Sequence, residues 1–149
     1  MTENIPKTEL LYQKSKPIDH LSISAGISLM IEEQKHASTE VQKVAKCIEH
    51  VIEAIYRNLI NSPNGRIVYV GAGTSARIGV QDGVELFPTF NWPIERVEFI
   101  IAGGFPALLK AIENAEDDTT IAEKIMSEKF ICKDDVVIGI AASGNTPFT

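Results

Sequence analysis

Gly71-Ala72-Gly73-Thr74-Ser75 follows the apolar run 66–70, and Ser143-Gly144-Asn145-Thr146 follows the apolar run 135–141. Each is a short loop of glycine and hydroxyl residues fed by what reads as a buried strand. Glycine lets the backbone approach a ligand closely, and hydroxyls add donors beside free N–H groups. The chemistry that suits such loops is the holding of an anion, above all a phosphate. The candidate binding residues are Gly73, Thr74 and Ser75 in the first loop and Ser143, Gly144, Asn145 and Thr146 in the second. Taken singly, each hydroxyl also fits a helix cap or a turn.

Two carboxyls are candidates for proton transfer. Glu85 lies near the end of the helix expected after the first loop, beside Leu86 and Phe87. Glu116 lies in Asn114-Ala115-Glu116-Asp117-Asp118. A carboxyl in apolar company can be held protonated and donate, while an ionised one can accept. A helix-end surface acid and a cap region are the plainer readings of the same residues. About ten helical residues separate Ser75 from Glu85, or roughly 15 Å. One small phosphorylated ligand hardly reaches both within one subunit. A catalytic Glu85 is therefore expected to serve a site whose phosphate loop belongs to another subunit.

The elements that must position these residues follow from pattern. After an irregular leader over residues 1–21, Ser22 or Ser24 caps a helix running to about Lys35, and Ser38 or Thr39 caps a second. Val41, Val44, Ile48, Val51, Ile52, Ile55 and Leu59 form an amphipathic stripe on the second. Asn61-Ser62-Pro63-Asn64-Gly65 ends it. Strands are expected at 66–70, 97–102 and 135–141. Helices are expected from about Thr74 to Leu86, from Phe105 to Asn114, and from Asp117-Asp118 to Lys129. Phe87 to Pro93 reads as a turn-like connection. Strands without clear alternation, separated by helices, predict an α/β architecture with a parallel sheet buried on both faces. Ligands of such sheets sit at the carboxyl ends of the strands, where both loops lie. The expected organisation is an N-terminal helical segment over 1–62 and an α/β domain over 63–149. The latter reads as incomplete after its third strand.

Gly71-Ala72-Gly73-Thr74-Ser75-Ala76 also fits the loose dinucleotide pattern. That site wants an acid at the end of the second strand, for the ribose hydroxyls. Here the strand ends in Ile101-Ala102-Gly103-Gly104, with Glu98 inside it. The missing acid disfavours a dinucleotide, and the absence of Gly-Lys-Ser/Thr excludes a P-loop.

The net charge of −6 argues against nucleic acid as a partner. With 44% hydrophobic and 23% charged residues, the composition is that of an ordinary globular domain. No signal peptide and no span of 18 apolar residues is read, so neither secretion nor a membrane is expected. Cys47 and Cys132 lack metal-ligand spacing and read as reduced, buried thiols of a cytoplasmic protein. His20, His36 and His50 have no clustered partners and read as structural or surface residues.

Read together, these blocks resemble the N-acetylmuramic acid 6-phosphate etherases of the sugar isomerase (SIS) domain superfamily. The matching text is Ile18-Asp19-His20-Leu21-Ser22, Ile31-Glu32-Glu33-Gln34-Lys35, Gly71 to Glu85, and Pro88-Thr89-Phe90. It continues with Ile101-Ala102-Gly103-Gly104, Ala115-Glu116-Asp117-Asp118, Ala141-Ala142-Ser143-Gly144 and Thr146-Pro147. The chain departs from the family pattern at Ala76, where glycine is usual, and at Asn145, where arginine is usual. The resemblance implies a three-layer SIS sandwich, present here as its N-terminal half. It implies cleavage of the D-lactyl ether to N-acetylglucosamine 6-phosphate and D-lactate, by elimination across C2–C3 and hydration. By the family pattern Glu85 protonates the departing lactate oxygen and Glu116 is the second acid, a base at C2. Ser143 and Thr146 match the phosphate loop, and Thr74 and Ser75 the other substrate loop. The family implies a phosphorylated amino sugar as ligand, a homodimer, and no metal or redox cofactor. The competing readings are a non-catalytic phosphosugar-binding regulatory module and an aldose–ketose isomerase. Glu85 and Glu116 favour the etherase.

Overall fold

The computed structural model describes residues 16–149. The chain divides into two compact units between Ala54 and Ile55.

The first unit is helical. Of the leader expected over 1–21, residues 1–15 lie outside the described residues, and Ile18–His20 is a single 3-10 turn. Helix α1 spans Ile23–Lys43, and Ser22 caps it by accepting the Ala25 N–H at 3.3 Å. No helix starts at Ser38 or Thr39. Both hydroxyls donate to the Lys35 carbonyl, at 2.8 and 3.0 Å, so their polar groups are met inside a continuing helix. The break comes at Val44, where the backbone leaves the helical region, and α2 runs over Ala45–Asn61. The stripe predicted on one helix is split, with Val41 in α1 and Val44 at the break, and Ile48, Val51 and Ile52 of α2 are exposed. Cys47 and Cys132 are exposed as well, not buried.

The second unit contains a three-stranded parallel sheet in the order β2-β1-β3. The strands are β1 (Ile67–Gly71), β2 (Val97–Ile101) and β3 (Val136–Ile140). In register, Tyr69 of β1 lies between Phe99 and Ile138. Helix α3 (Gly73–Val84) follows β1, and α5 (Thr119–Glu128) precedes β3. Between them the short α4 (Leu86–Phe90) occupies part of the connection read as a turn. Pro88 is tolerated there because it falls in the first turn, where its missing N–H leaves no bond unmade.

The core lies on both faces of β1 and β2. Val68, Val70 and Ile100 cluster with Ala122 of α5, while Ala76 of α3 clusters with Ile101 and Ala107. Layers of helix, sheet and helix make this the expected α/β sandwich. Helix α3 lies very close to the sheet. A Cβ at Gly83 would sit 2.6 Å from a Phe99 ring carbon, and one at Gly79 2.6 Å from the Ile140 Cδ1. Spaced four apart, these glycines share one helical face. The Tyr69 ring stacks on Phe99, and its hydroxyl donates to the Asp82 carboxylate at 2.7 Å. Burial first, and that bond second, push the phenol well above its ordinary range. The third strand is less covered than predicted. Its residues alternate between partly buried and exposed, the pattern of a strand with one face packed and the other open.

Candidate functional site

The carboxyl ends of the three strands converge on one edge of the sheet, as parallel pairing requires. The first loop enters α3 through Ala72, which has no side chain to cap the helix. The amides of the first turn thus remain available at the positive end of the helix dipole. Gly73 sits at φ 53 with open space around it, and Thr74 is exposed beside it. Ser75 is partly buried in the same turn. Gly144 in the second loop repeats the device, at φ 69 with nothing near it. There the Asn145 N–H donates to the Ser143 Oγ at 3.1 Å, and the Asn145 amide donates to the Ser143 carbonyl. The Ser143 O–H remains a donor.

A cavity of about 300 Å³ opens at the ends of β1 and β2. It brings together Gly73 and Thr74 from the first loop and Glu116 from the stretch before α5. Ser75, Ser143, Gly144, Asn145 and Thr146 do not line it. Glu85 is also outside: it is exposed at the far end of α3, where it closes α3 and opens α4. The length of α3 separates Glu85 from Thr74.

The cavity wall includes residues that sequence reasoning missed. Arg77, one turn into α3, donates Nε and Nη2 to the Ala107 carbonyl at 3.1 and 3.0 Å, and Nη2 to the Lys110 carbonyl at 3.2 Å. This explains why the helix expected over 105–114 is only a 3-10 turn, Phe105–Leu108. The carbonyls that would continue it accept the guanidinium instead. Asn114 then turns the chain at φ 60, a left-handed conformation that asparagine tolerates and a right-handed helix cannot contain. Lys110 and Glu113 also line the cavity, and the Lys110 ammonium makes no ion pair among the described residues. Arginine midway in the loop-and-helix block was visible in the sequence. Its carbonyl partners, some thirty residues on, were not.

Glu98, the only acid inside β2, is committed elsewhere. Its carboxylate accepts from the Lys129 Nζ at 2.9 Å and from the Phe99 N–H. Glu98 is therefore not available to a ribose at that strand end. Ala76, where the family pattern has glycine, is buried in α3 beside Gly71.

A parallel sheet with a helix on each face and small hydroxyl loops at its carboxyl ends is the architecture of an α/β ligand-binding domain. Residues 43–149 match the family described as "Glucokinase regulatory protein N-terminal SIS domain", and the chain belongs to that family. It is also similar to proteins named N-acetylmuramic acid 6-phosphate etherase. It is 42% identical to the one from Geobacillus thermodenitrificans over 95% of this chain and 47% of the relative. It is 42% identical to the one from Deinococcus radiodurans over 95% of this chain and 46% of the relative. For the Pasteurella multocida protein the identity is 41%, over 90% of this chain and 44% of the relative. The chain spans about half the length of the curated relatives it matches.

Proposed function

We propose that this chain forms part of an N-acetylmuramic acid 6-phosphate etherase. The observation that carries the reading is the cavity that unites Thr74 with Glu116 at the strand ends, in a chain about 40% identical to proteins of that name. In this reading the Ser143–Thr146 loop holds the 6-phosphate with hydroxyl and backbone donors. The first loop, with Gly73, Thr74 and Ser75, holds the sugar. Glu116 takes the proton from C2. Glu85 gives a proton to the lactyl oxygen as the C3–O bond breaks, releasing D-lactate. Water then adds across the C2–C3 double bond, giving N-acetylglucosamine 6-phosphate. The two carboxyls act in opposite protonation states.

Glu85 lies outside the cavity, so the reading requires a homodimer in which each Glu85 serves the partner's site. The exposed apolar side chains of α1 and α2, among them Ile23, Ile27, Ile31 and Val51, suit a chain that associates. A mixed dimer of a Glu85→Ala chain and a Ser143→Ala, Thr146→Ala chain is expected to recover activity well above that of either homodimer. The reading carries a cytoplasmic location with it. Among the described residues, no helix is long and apolar enough to cross a membrane.

A second reading is a phosphosugar-binding regulatory module without catalysis. Two observations favour it: the matched family is described by a regulatory protein, and Glu85 stands apart from the cavity. The test is to incubate the purified chain with N-acetylmuramic acid 6-phosphate and assay D-lactate. Release that falls at least about a hundredfold in Glu85→Ala and Glu116→Ala is expected, the usual scale of lost acid–base catalysis. Saturable binding without release supports the regulatory module. Release that survives both substitutions, or neither release nor binding, contradicts the etherase reading.

A further inference from the structure

The loop after β3 and the segment that carries Glu116 are joined by one backbone bond. The Phe148 N–H donates to the Glu116 carbonyl oxygen at 2.9 Å. The Phe148 side chain is only 3% exposed and packs in the sheet cluster with Val68, Ala72 and Ala102. The Thr149 N–H donates to the Thr146 carbonyl at 3.0 Å, closing a turn over Thr146–Thr149 with Pro147 in its second position. Thr146, a candidate phosphate contact, and Phe148, the anchor of Glu116, therefore belong to one four-residue turn.

Glu116 is fixed on its other sides as well. Asn114, two residues before, holds a left-handed backbone. Asp118, two residues after, caps α5 by accepting the Thr120 and Ile121 N–H groups at 3.0 and 3.1 Å. The Phe148 bond ties this held segment to the second loop.

We propose that Phe148 is a positioning residue. Its buried ring and its N–H set the Glu116 segment in register with the Ser143–Thr146 loop. An anion seated in that loop then lies at a fixed distance from Glu116. The inference rests on the sugar-phosphate reading above. Its physical basis is that proline limits the freedom of the turn and a packed aromatic ring fixes one end of it. Ordering of the loop by a bound anion is thereby felt at Glu116, which an anion as small as phosphate need not touch.

The experiment titrates the isotope-labelled chain with inorganic phosphate and follows the amides of residues 143–146 and the Glu116 amide and carboxyl carbon by NMR. In the wild-type chain the loop and Glu116 are expected to shift with one midpoint. In Phe148→Ala the loop response is expected to persist while the Glu116 shift falls to less than a third. Phe148→Leu, which refills most of the buried space, is expected to restore it. Should Phe148→Ala not fold, Phe148→Val against Phe148→Leu reads the same trend, with the smaller side chain giving the smaller Glu116 shift. A Glu116 response that is absent in the wild type, or unchanged in the folded variants, overturns the positioning role alone. No response at residues 143–146 to either phosphate or N-acetylglucosamine 6-phosphate overturns the sugar-phosphate reading and this inference with it.

Discussion

The two ends of the parallel sheet are built in opposite ways. At the amino ends, Arg66 before β1 and Asp135 before β3 clamp the strands. The Asp135 carboxylate accepts the Arg66 Nε and Nη2 at 3.0 and 2.8 Å, the Arg66 N–H at 2.9 Å and the Cys132 N–H at 3.0 Å. The same guanidinium reaches the Lys129 and Phe130 carbonyls. Arg96, just before β2, donates to the Leu59, Ser62 and Gly65 carbonyls, gathering the end of α2 and the turn before β1, and lies over the Trp92 ring. At the carboxyl ends the pattern reverses. Gly73 and Gly144 stand at positive φ with open space, hydroxyls are exposed or partly so, and α3 starts without a side-chain cap. Polar groups satisfied internally hold the fold together, and polar groups left open are available to a ligand. The amino end is built for stability, and the carboxyl end is left open to a ligand.

The substitution that breaks this contrast most is Asp135→Ala. The Asp135 side chain is 2% exposed in its ion pair, so removing it leaves two amides without their acceptor and takes the carboxylate from a guanidinium that keeps only its carbonyl partners. A loss of about 3–4 kcal/mol is expected in urea unfolding. Phosphosugar affinity of the molecules that remain folded should not change.

Acid provides a graded version. The Arg66 bond, against the opposing effect of burial, holds the Asp135 carboxyl down at about 2, below its ordinary 3.8. A carboxyl lowered on folding adds stability above its unfolded value and loses it as pH falls toward the folded one. About 2 kcal/mol should therefore disappear between roughly pH 4 and pH 2. Urea midpoints measured across that range should show the fall in wild type and a flatter line in Asp135→Asn.

Arg96→Met keeps the apolar stem and removes the three carbonyl bonds and the cation over Trp92. A loss of about 1–2 kcal/mol is expected by thermal unfolding. The smallest effect on stability belongs to the other end. Thr146→Ala should shift unfolding by under about 0.5 kcal/mol. It should nevertheless weaken phosphosugar binding by roughly tenfold, the worth of one hydrogen bond to a charged group.

Much of this organisation was legible in the sequence because its signals are local. The three strands appeared as apolar runs, Ser22 was one of two candidate caps, Asp117-Asp118 marked a helix start, and the parallel arrangement followed from the intervening helices. Both loops lie where strand order requires. What stayed hidden depends on distant partners. The helix predicted after Gly104 fails because Arg77, on another element, takes its carbonyls. The cap assigned to Ser38 or Thr39 fails because a hydroxyl can bond back into its own helix as readily as it can start one. Cys132 was read as buried from its apolar neighbours, yet it lies in the exposed turn closed by Asp135. Of the candidate site, Thr74 and Glu116 meet in one cavity, a juxtaposition that no spacing rule foretold. The Phe148 bond to Glu116 was equally invisible, because a backbone amide leaves no trace in residue type.

The most direct test of the division between the ends is calorimetric titration of the chain with N-acetylglucosamine 6-phosphate and with unphosphorylated N-acetylglucosamine. Saturable binding of the phosphorylated sugar alone is expected, lost in a Ser143→Ala, Thr146→Ala double variant and retained in Asp135→Asn held below its unfolding temperature. Equal binding of both sugars, or binding that survives the loop substitutions and vanishes with Asp135→Asn, would contradict the account.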